Sequence, residues 1–140
     1  MIFPPDLSLD SLNQMGKNTM TDFLDIRFTQ IGEDFLEATM PVTDKTKQPL
    51  GLLHGGANVV LAETLGSVAA TLTVDTSRQH CVGLEINANH LKSVRDGLVR
   101  GVTKPIHLGK KTQVWEIKIY NGHDELTCIS RITMAIIDKK

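Results

Sequence analysis

A single charged residue, Glu63, lies near the middle of a 20-residue stretch from Gly55 to Val74. Every other residue of that stretch is apolar, small or uncharged. The stretch is too long for one strand and predicts a buried helix. A lone buried carboxylate is costly unless it is paired, so Glu63 is a candidate general base or nucleophile. Alternatively, it faces solvent at a groove edge or pairs with a basic residue from elsewhere in the chain.

The start of this helix offers hydrogen-bond donors. Backbone N–H groups at a helix start lack partners and lie at the positive end of the dipole, and Gly55 and Gly56 would let a ligand approach them closely. Gly56 lies two turns before Glu63 on nearly the same face, and Ser67 lies one turn after it. One face thus combines an oxyanion-type donor with a carboxylate, a layout suited to attack on a carbonyl. Taken singly, His54 is equally well explained as a loop histidine and the glycines as a tight helix entry.

Positive charge is concentrated between Lys92 and Lys111. That segment contains six Lys and Arg against one acidic residue, Asp96, whereas the rest of the chain has 9 basic and 15 acidic residues. Such a basic patch suits a small polyanion better than a nucleic-acid duplex. The alternative is a solvated strand surface. His90, just before the segment, is in phase with Leu84, Ile86 and Ala88, which favours a histidine that faces the core.

Composition and the missing motifs exclude several classes of function. The chain has 140 residues, a net charge of −1 and six aromatic residues, which predicts one soluble globular domain over 1–140 and disfavours nucleic-acid binding. There is no GxSxG, P-loop, GxGxxG or HExxH motif, and we expect no metal. The two cysteines are expected to be reduced, half-buried thiols. Glu63 argues against a membrane helix, and the N-terminus does not resemble a signal peptide, so we expect a cytoplasmic protein.

The elements that must position these residues follow from periodicity and turn signals. Residues 8–15 predict a short helix that ends at Gly16, with a further turn at 19–23. Strands are expected at 25–31 and 34–40, and a polar loop at 41–53 leads into the central helix. About four strands follow, with an Asn121-Gly122 hairpin before the last strand at 126–137. This order predicts an antiparallel α+β fold with one helix on one face of the sheet.

Four segments of the chain resemble the hotdog-fold acyl-CoA thioesterases of the phenylacetic-acid-degradation type. They are Gly51–Ala57, Leu61–Ser67, Val82–Leu91 and His107–Lys110, and the overall likeness runs from about Met20 to Ile137. The bacterial aryl-acyl thioesterases are the most similar branch. The resemblance implies a long central helix wrapped by an antiparallel sheet of about six strands. It also implies a homo-oligomer, a tetramer built from two dimers, with active sites at the dimer interface.

The resemblance also assigns roles to individual residues. Glu63 would be the catalytic carboxylate, the Gly55 amide would polarise the thioester carbonyl, and Ser67 would lie beside the leaving thiolate or the water. His54 and Gln48 would position the carbonyl or the attacking water. The binding path for the pantetheine and nucleotide of CoA would be lined by the basic segment and neighbouring residues: Val82, Gly83, His90, Ser93, Arg95, His107 and Lys110. An aryl or medium-chain acyl group would be walled by Leu50, Val59, Val60, Thr64 and Val68.

Several alternatives stay open at this point. A hotdog dehydratase is disfavoured because Pro49 is followed by Leu50-Gly51, whereas that family is expected to carry a His-Phe-Pro type sequence before the helix. A non-catalytic acyl-CoA-binding module is disfavoured because it would have no need of Glu63. We expect no cofactor, since CoA is part of the substrate. The sequence leaves open the acyl group, the choice between CoA and a carrier protein, and whether Glu63 is a nucleophile or a base.

Overall fold

A computed structural model describes residues 1–140 as two short helices, one long helix and six strands. The elements are α1 (Leu9–Met15), α2 (Met20–Phe23), β1 (Arg27–Ile31), β2 (Leu36–Pro41), α3 (Gly55–Thr71), β3 (Gln79–His90), β4 (Leu98–Leu108), β5 (Thr112–Tyr120) and β6 (Leu126–Asp138). The predicted element order is confirmed. Ser8 caps α1 by accepting from the Ser11 N–H, and Gly16 ends the helix.

The strands form one antiparallel sheet in the order β1-β2-β4-β5-β6-β3. The long helix α3 packs against β2, β3, β4, β5 and β6. It ends three residues earlier than the predicted Val74. The Thr71 and Thr73 hydroxyls donate to carbonyls of the last turns, and Thr73 also accepts from the Gln113 side chain, which ties this end of the helix to β5.

Helix α3 approaches the sheet closely at two glycines. A Cβ on Gly66 would lie 2.5 Å from Ile132 Cγ2 in β6, and a Cβ on Gly101 in β4 would lie 2.6 Å from Leu65 Cδ1. Glycine is needed at both positions because any side chain would push the helix off the sheet. The buried face of α3 is made of Ala57, Asn58, Leu61, Ala62, Leu65, Gly66, Ala69 and Ala70.

The expectation that α3 is buried all round is wrong for the single chain. Only the face towards the sheet is buried, and Glu63 on the other face is exposed. The amino acid types gave no warning because the open face, apart from Glu63, also carries only uncharged residues, among them three valines. No helix in the structure is both long and apolar enough to cross a membrane.

Strand β3 lies at the edge of the sheet and departs from the predicted alternation. A bulge between Gly83 and Glu85 leaves Leu84 without a partner in β6 and 61% exposed. Ile86 and Ala88 still pack against the core. His90, at the end of the strand, is exposed rather than core-facing. The other edge of β3 carries unpaired backbone groups.

The sequence predicts two reduced, half-buried thiols, and the half-buried part is wrong for Cys128, which has no exposed surface. Cys81 in β3 is half-buried and Cys128 in β6 is buried, and neither is in a disulfide. Burial raises the pKa of both thiols, which lowers their reactivity.

Candidate active site

The start of α3 presents one free backbone donor. The His54 side chain caps the helix, because its Nδ1 accepts from the Gly56 N–H at 2.8 Å. The Ala57 and Asn58 N–H groups donate to the His54 carbonyl. The Gly55 N–H has no partner in the structure. It is therefore available to a ligand oxygen at the positive end of the helix dipole.

A cavity of about 390 Å³ opens in front of this donor. It contains four of the residues singled out from the sequence: Gln48, Gly55, His90 and Ser93. The loop that forms its wall is anchored by two short backbone bonds, from the Leu53 N–H to the Val94 carbonyl and from the His54 N–H to the Thr46 carbonyl, both 2.7 Å. These four predicted site residues are thus brought together within one chain.

Gln48 and His90 occupy opposite parts of the cavity wall. The Gln48 Oε1 accepts from the Leu50 N–H, which leaves the Gln48 amide nitrogen as the group that it can offer to a ligand. The His90 ring lies against Gly55. A Cβ on Gly55 would be 2.9 Å from His90 Nε2, so a glycine is required there for the ring to keep this place.

Sequence reasoning missed Asn58, which lines the same cavity. Its side chain is 5% exposed, and its Nδ2 lies 3.5 Å from His90 Nδ1. The available signal was its spacing, since a residue three positions after Gly55 lies on the same side of a helix. The cavity also contains Lys92, which forms an ion pair with Glu125.

Glu63 lies outside this cavity. Its carboxylate is beside β3, where a Cβ on Gly83 would be 3.1 Å from Glu63 Oε2. Glu63 forms no ion pair. Of the interpretations that the sequence allowed, the one that fits the single chain is a carboxylate exposed at the edge of a groove. Eight residues separate it from Gly55, which corresponds to about 12 Å along the helix axis. Ser67 follows one turn later and is half-buried.

Comparison with known proteins places the chain in a family. Residues 50–128 match the thioesterase superfamily model. The chain is 58% identical to 1,4-dihydroxy-2-naphthoyl-CoA hydrolase of Escherichia coli, covering 98% of this chain and 100% of that protein. It is 49% identical to the proofreading thioesterase EntH of Cronobacter sakazakii, covering 98% and 99%. A crystal structure of a mutant thioesterase from Pseudomonas aeruginosa superimposes with a TM-score of 0.97 at 47% identity, covering 99% and 100%.

The chain belongs to the thioesterase superfamily. The predicted hotdog fold and the predicted class of enzyme, a thioester hydrolase, are both confirmed. The predicted likeness to the aryl-acyl branch is confirmed as well, because the naphthoyl-CoA hydrolase and EntH are both close relatives.

The thioesterase does not gather its predicted acyl-pocket residues into the cavity. Leu50 is 78% exposed in the loop before α3, while Val59, Val60, Thr64 and Val68 are half-buried on the side of α3 that faces away from the sheet. Val60 and Val68 also pack against the core, and the Thr64 hydroxyl donates to the Val60 carbonyl. In one chain the four helix residues of this set flank Glu63, and none of the five lines the cavity in front of the free Gly55 donor.

The predicted CoA-binding residues are spread along the molecule. Val82 and Gly83 are exposed in β3 beside Glu63, and Arg95 is exposed in the loop after the cavity. Lys110 lies next to Thr73, just beyond the C-terminal end of α3, so the helix length of about 25 Å separates it from Gly55. His107 is exposed near the same turn, with its ring beside Gly109.

The basic segment of this thioesterase is not one continuous patch. Arg100 forms ion pairs with Glu37 and Asp124 and stacks on the Tyr120 ring. Lys104 lies over the Phe35 ring, and Lys92 is paired as described above. Within this segment, the basic side chains that have no acidic partner are Arg95, Lys104, Lys110 and Lys111.

Proposed function

We propose that this thioesterase hydrolyses the thioester of an aryl acyl-CoA, either 1,4-dihydroxy-2-naphthoyl-CoA or a benzoyl-type substrate. The single observation that carries the proposal is the unpartnered Gly55 N–H at the start of α3, which opens into the cavity. The choice of substrate is supported by the name of the 58% identical E. coli relative. With that substrate the enzyme would serve menaquinone biosynthesis.

The proposed chemistry uses two groups and no metal. The Gly55 N–H donates to the carbonyl oxygen and draws electron density from the carbonyl carbon. Glu63 either attacks that carbon, giving an anhydride that water then cleaves, or takes a proton from an attacking water. Both routes consume one water, break the C–S bond and yield a carboxylic acid and CoA. CoA leaves as a thiolate, which requires no prior protonation.

Gly55 and Glu63 of one chain are too far apart to act on the same carbonyl. A donor and an attacking group must each lie within about 3–3.5 Å of the reacting atoms, whereas the two residues are separated by about 12 Å along α3. We infer that Glu63 from one protomer serves the Gly55 cavity of another. The free edge of β3 beside Glu63 supports this, since exposed edges are templates for pairing. Pairing of two such dimers would give the expected tetramer.

A substrate panel tests the activity. Initial rates are measured on aryl-CoA and alkyl-CoA thioesters and on one aryl carrier protein. We expect kcat/KM to be highest for an aryl-CoA. A preference for alkyl chains or for the carrier protein would contradict the proposed substrate, and turnover of none of these thioesters would contradict the proposed activity.

A subunit-mixing experiment tests the shared site. Glu63→Gln chains and Gly55→Pro chains are denatured together and refolded in equal amounts. If the two groups come from different protomers, half of the sites in each mixed dimer are intact, so about a quarter of wild-type activity returns. A mixture as inactive as either variant alone would contradict the shared site.

Light scattering should also give a mass near four times 15.4 kDa, and a mass of one chain at micromolar concentration would exclude the oligomer.

A further inference from the structure

Asn58 contains the one buried side-chain polar atom of the structure that has no hydrogen-bond partner, its Oδ1. The residue lies in the first turn of α3, on a helix whose other buried residues are all apolar or glycine. Burying an amide costs free energy unless it is hydrogen-bonded. A buried amide with an unpaired oxygen in a catalytic cavity is therefore better explained by a functional role than by packing.

The one side-chain hydrogen-bond contact of Asn58 is with His90. The Asn58 Nδ2 lies 3.5 Å from His90 Nδ1, a long contact of the kind that tightens when substrate binds. In this orientation of the Asn58 amide the nitrogen donates and His90 Nδ1 accepts, whereas the reverse orientation would require an Nδ1–H. A neutral imidazole whose Nδ1 accepts carries its proton on Nε2.

His90 Nε2 is the ring atom nearest to Gly55. It would lie 2.9 Å from a Cβ at that position, and both residues line the cavity. An Nε2–H would therefore open into the same cavity as the free Gly55 N–H. Two donors that converge on one point stabilise a developing oxyanion better than one.

We propose that Asn58 is a positioning residue of the active site. Its NH₂ group holds His90 in the Nε2–H tautomer, so that His90 and Gly55 together bind the thioester carbonyl oxygen. This rests on the function proposed above. It also gives His90 a different role from the lining of the pantetheine path that the resemblance suggested. The opposite tautomer would turn a bare Nε2 lone pair towards the carbonyl oxygen and repel it.

Nitrogen-15 NMR of the wild-type enzyme tests the tautomer directly. With histidine labelled on the ring nitrogens, and the His90 signals assigned by their loss in His90→Gln, we expect the Nε2–H form. The Nδ1–H form in the neutral ring would overturn the proposal. This measurement needs neither turnover nor a variant at Asn58, so its outcome is independent of whether the proposed substrate is correct.

Asn58→Asp tests the consequence for catalysis. Aspartate has the same shape and offers only acceptors, so at a pH where the ring is neutral His90 should change to the Nδ1–H form. We expect kcat to fall by roughly 10- to 100-fold, below the 10²–10³ that follows complete loss of an oxyanion donor, with KM nearly unchanged.

The control repeats Asn58→Asp in a His90→Gln background. The glutamine amide can donate from a position near that of Nε2 and has no tautomer to set, so Asn58→Asp should then cost less than about twofold. An equal loss in both backgrounds would show that Asn58 acts through packing, and would overturn the proposal. If the Asn58→Asp variant does not fold, the NMR measurement of the His90 tautomer in the wild-type enzyme still tests the proposal. Failure of the proposed hydrolysis itself would be recognised separately, by wild-type inactivity on every thioester of the panel.

Discussion

The side of α3 that faces the sheet and the side that faces away are both uncharged apart from Glu63 but lie in different surroundings. Leu61 and Leu65 have no exposed surface, and Gly66 rests directly on Ile132. On the other side, Glu63 is exposed and the valines and threonines are half-buried. The first side determines how the helix is held, and in the proposed mechanism the second carries the catalytic carboxylate. Substitutions on the two sides should therefore have separable effects.

Leu65→Ala should have the largest effect on the sheet-facing side. The side chain is fully buried against β4, so its truncation leaves a cavity and should lower the free energy of unfolding by about 2–5 kcal/mol. Denaturant unfolding measures this, with Leu65→Met as the volume-conserving control, expected to cost less than about 1.5 kcal/mol. The kcat of the folded fraction should change little. A loss below about 1 kcal/mol for alanine would show that this side is not tightly packed.

Gly55→Pro should have the largest effect on the free donor at the helix start. Proline is accepted at the first position of a helix, and the extended conformation of His54 suits a following proline. The substitution removes the N–H and adds ring atoms, including a Cβ that must displace the His90 ring. We expect kcat to fall by about 10²–10³ with little change in stability.

Gly55→Ala is the matched control, because it adds the same Cβ near His90 and keeps the N–H. Its kcat should lie clearly between those of wild type and proline. Equal rates for the alanine and proline variants would mean that the contact with His90, and not the N–H, is what matters at this position.

Arg95→Gln and Lys110→Gln should have the smallest effects. Both side chains are exposed and have no acidic partner, so each should raise KM for CoA substrates by only about 2- to 5-fold. Because the nucleotide is remote from the reacting carbon, kcat should be unchanged. Thioesters that lack the nucleotide should be unaffected, and Arg100→Gln, which removes an internally paired side chain, should leave KM unaltered. Equal changes on both kinds of substrate would point to folding instead.

The order and type of the elements could be predicted from the sequence, because turn residues and periodicity are local signals. The exposure of the two sides of α3 could not, since apart from Glu63 both sides carry uncharged residues, chiefly alanine and leucine on one and valine and threonine on the other, and only contact with the sheet separates them. The predicted alternation of core-facing and outward-facing residues in β3 is wrong at its bulge, where Leu84 has no partner in β6.

Within the candidate site, Gly55 and Glu63 could be predicted because a helix start and a lone charge are visible in the sequence. Asn58 could not, because its significance depends on His90, which is 32 residues away and reaches it only through the fold. The pairing of Lys92 with Glu125 and of Arg100 with Glu37 depends on the fold in the same way.

The most direct test of the account is the kcat of Glu63→Gln on the best thioester of the panel. The substitution keeps the volume of the side chain and removes its charge, and neither attack nor proton abstraction is possible without that charge. We predict that kcat falls by about 10²–10⁴, that KM changes little, and that the melting temperature stays the same or rises. Full turnover combined with a lower melting temperature would identify Glu63 as a structural residue and would contradict the mechanism.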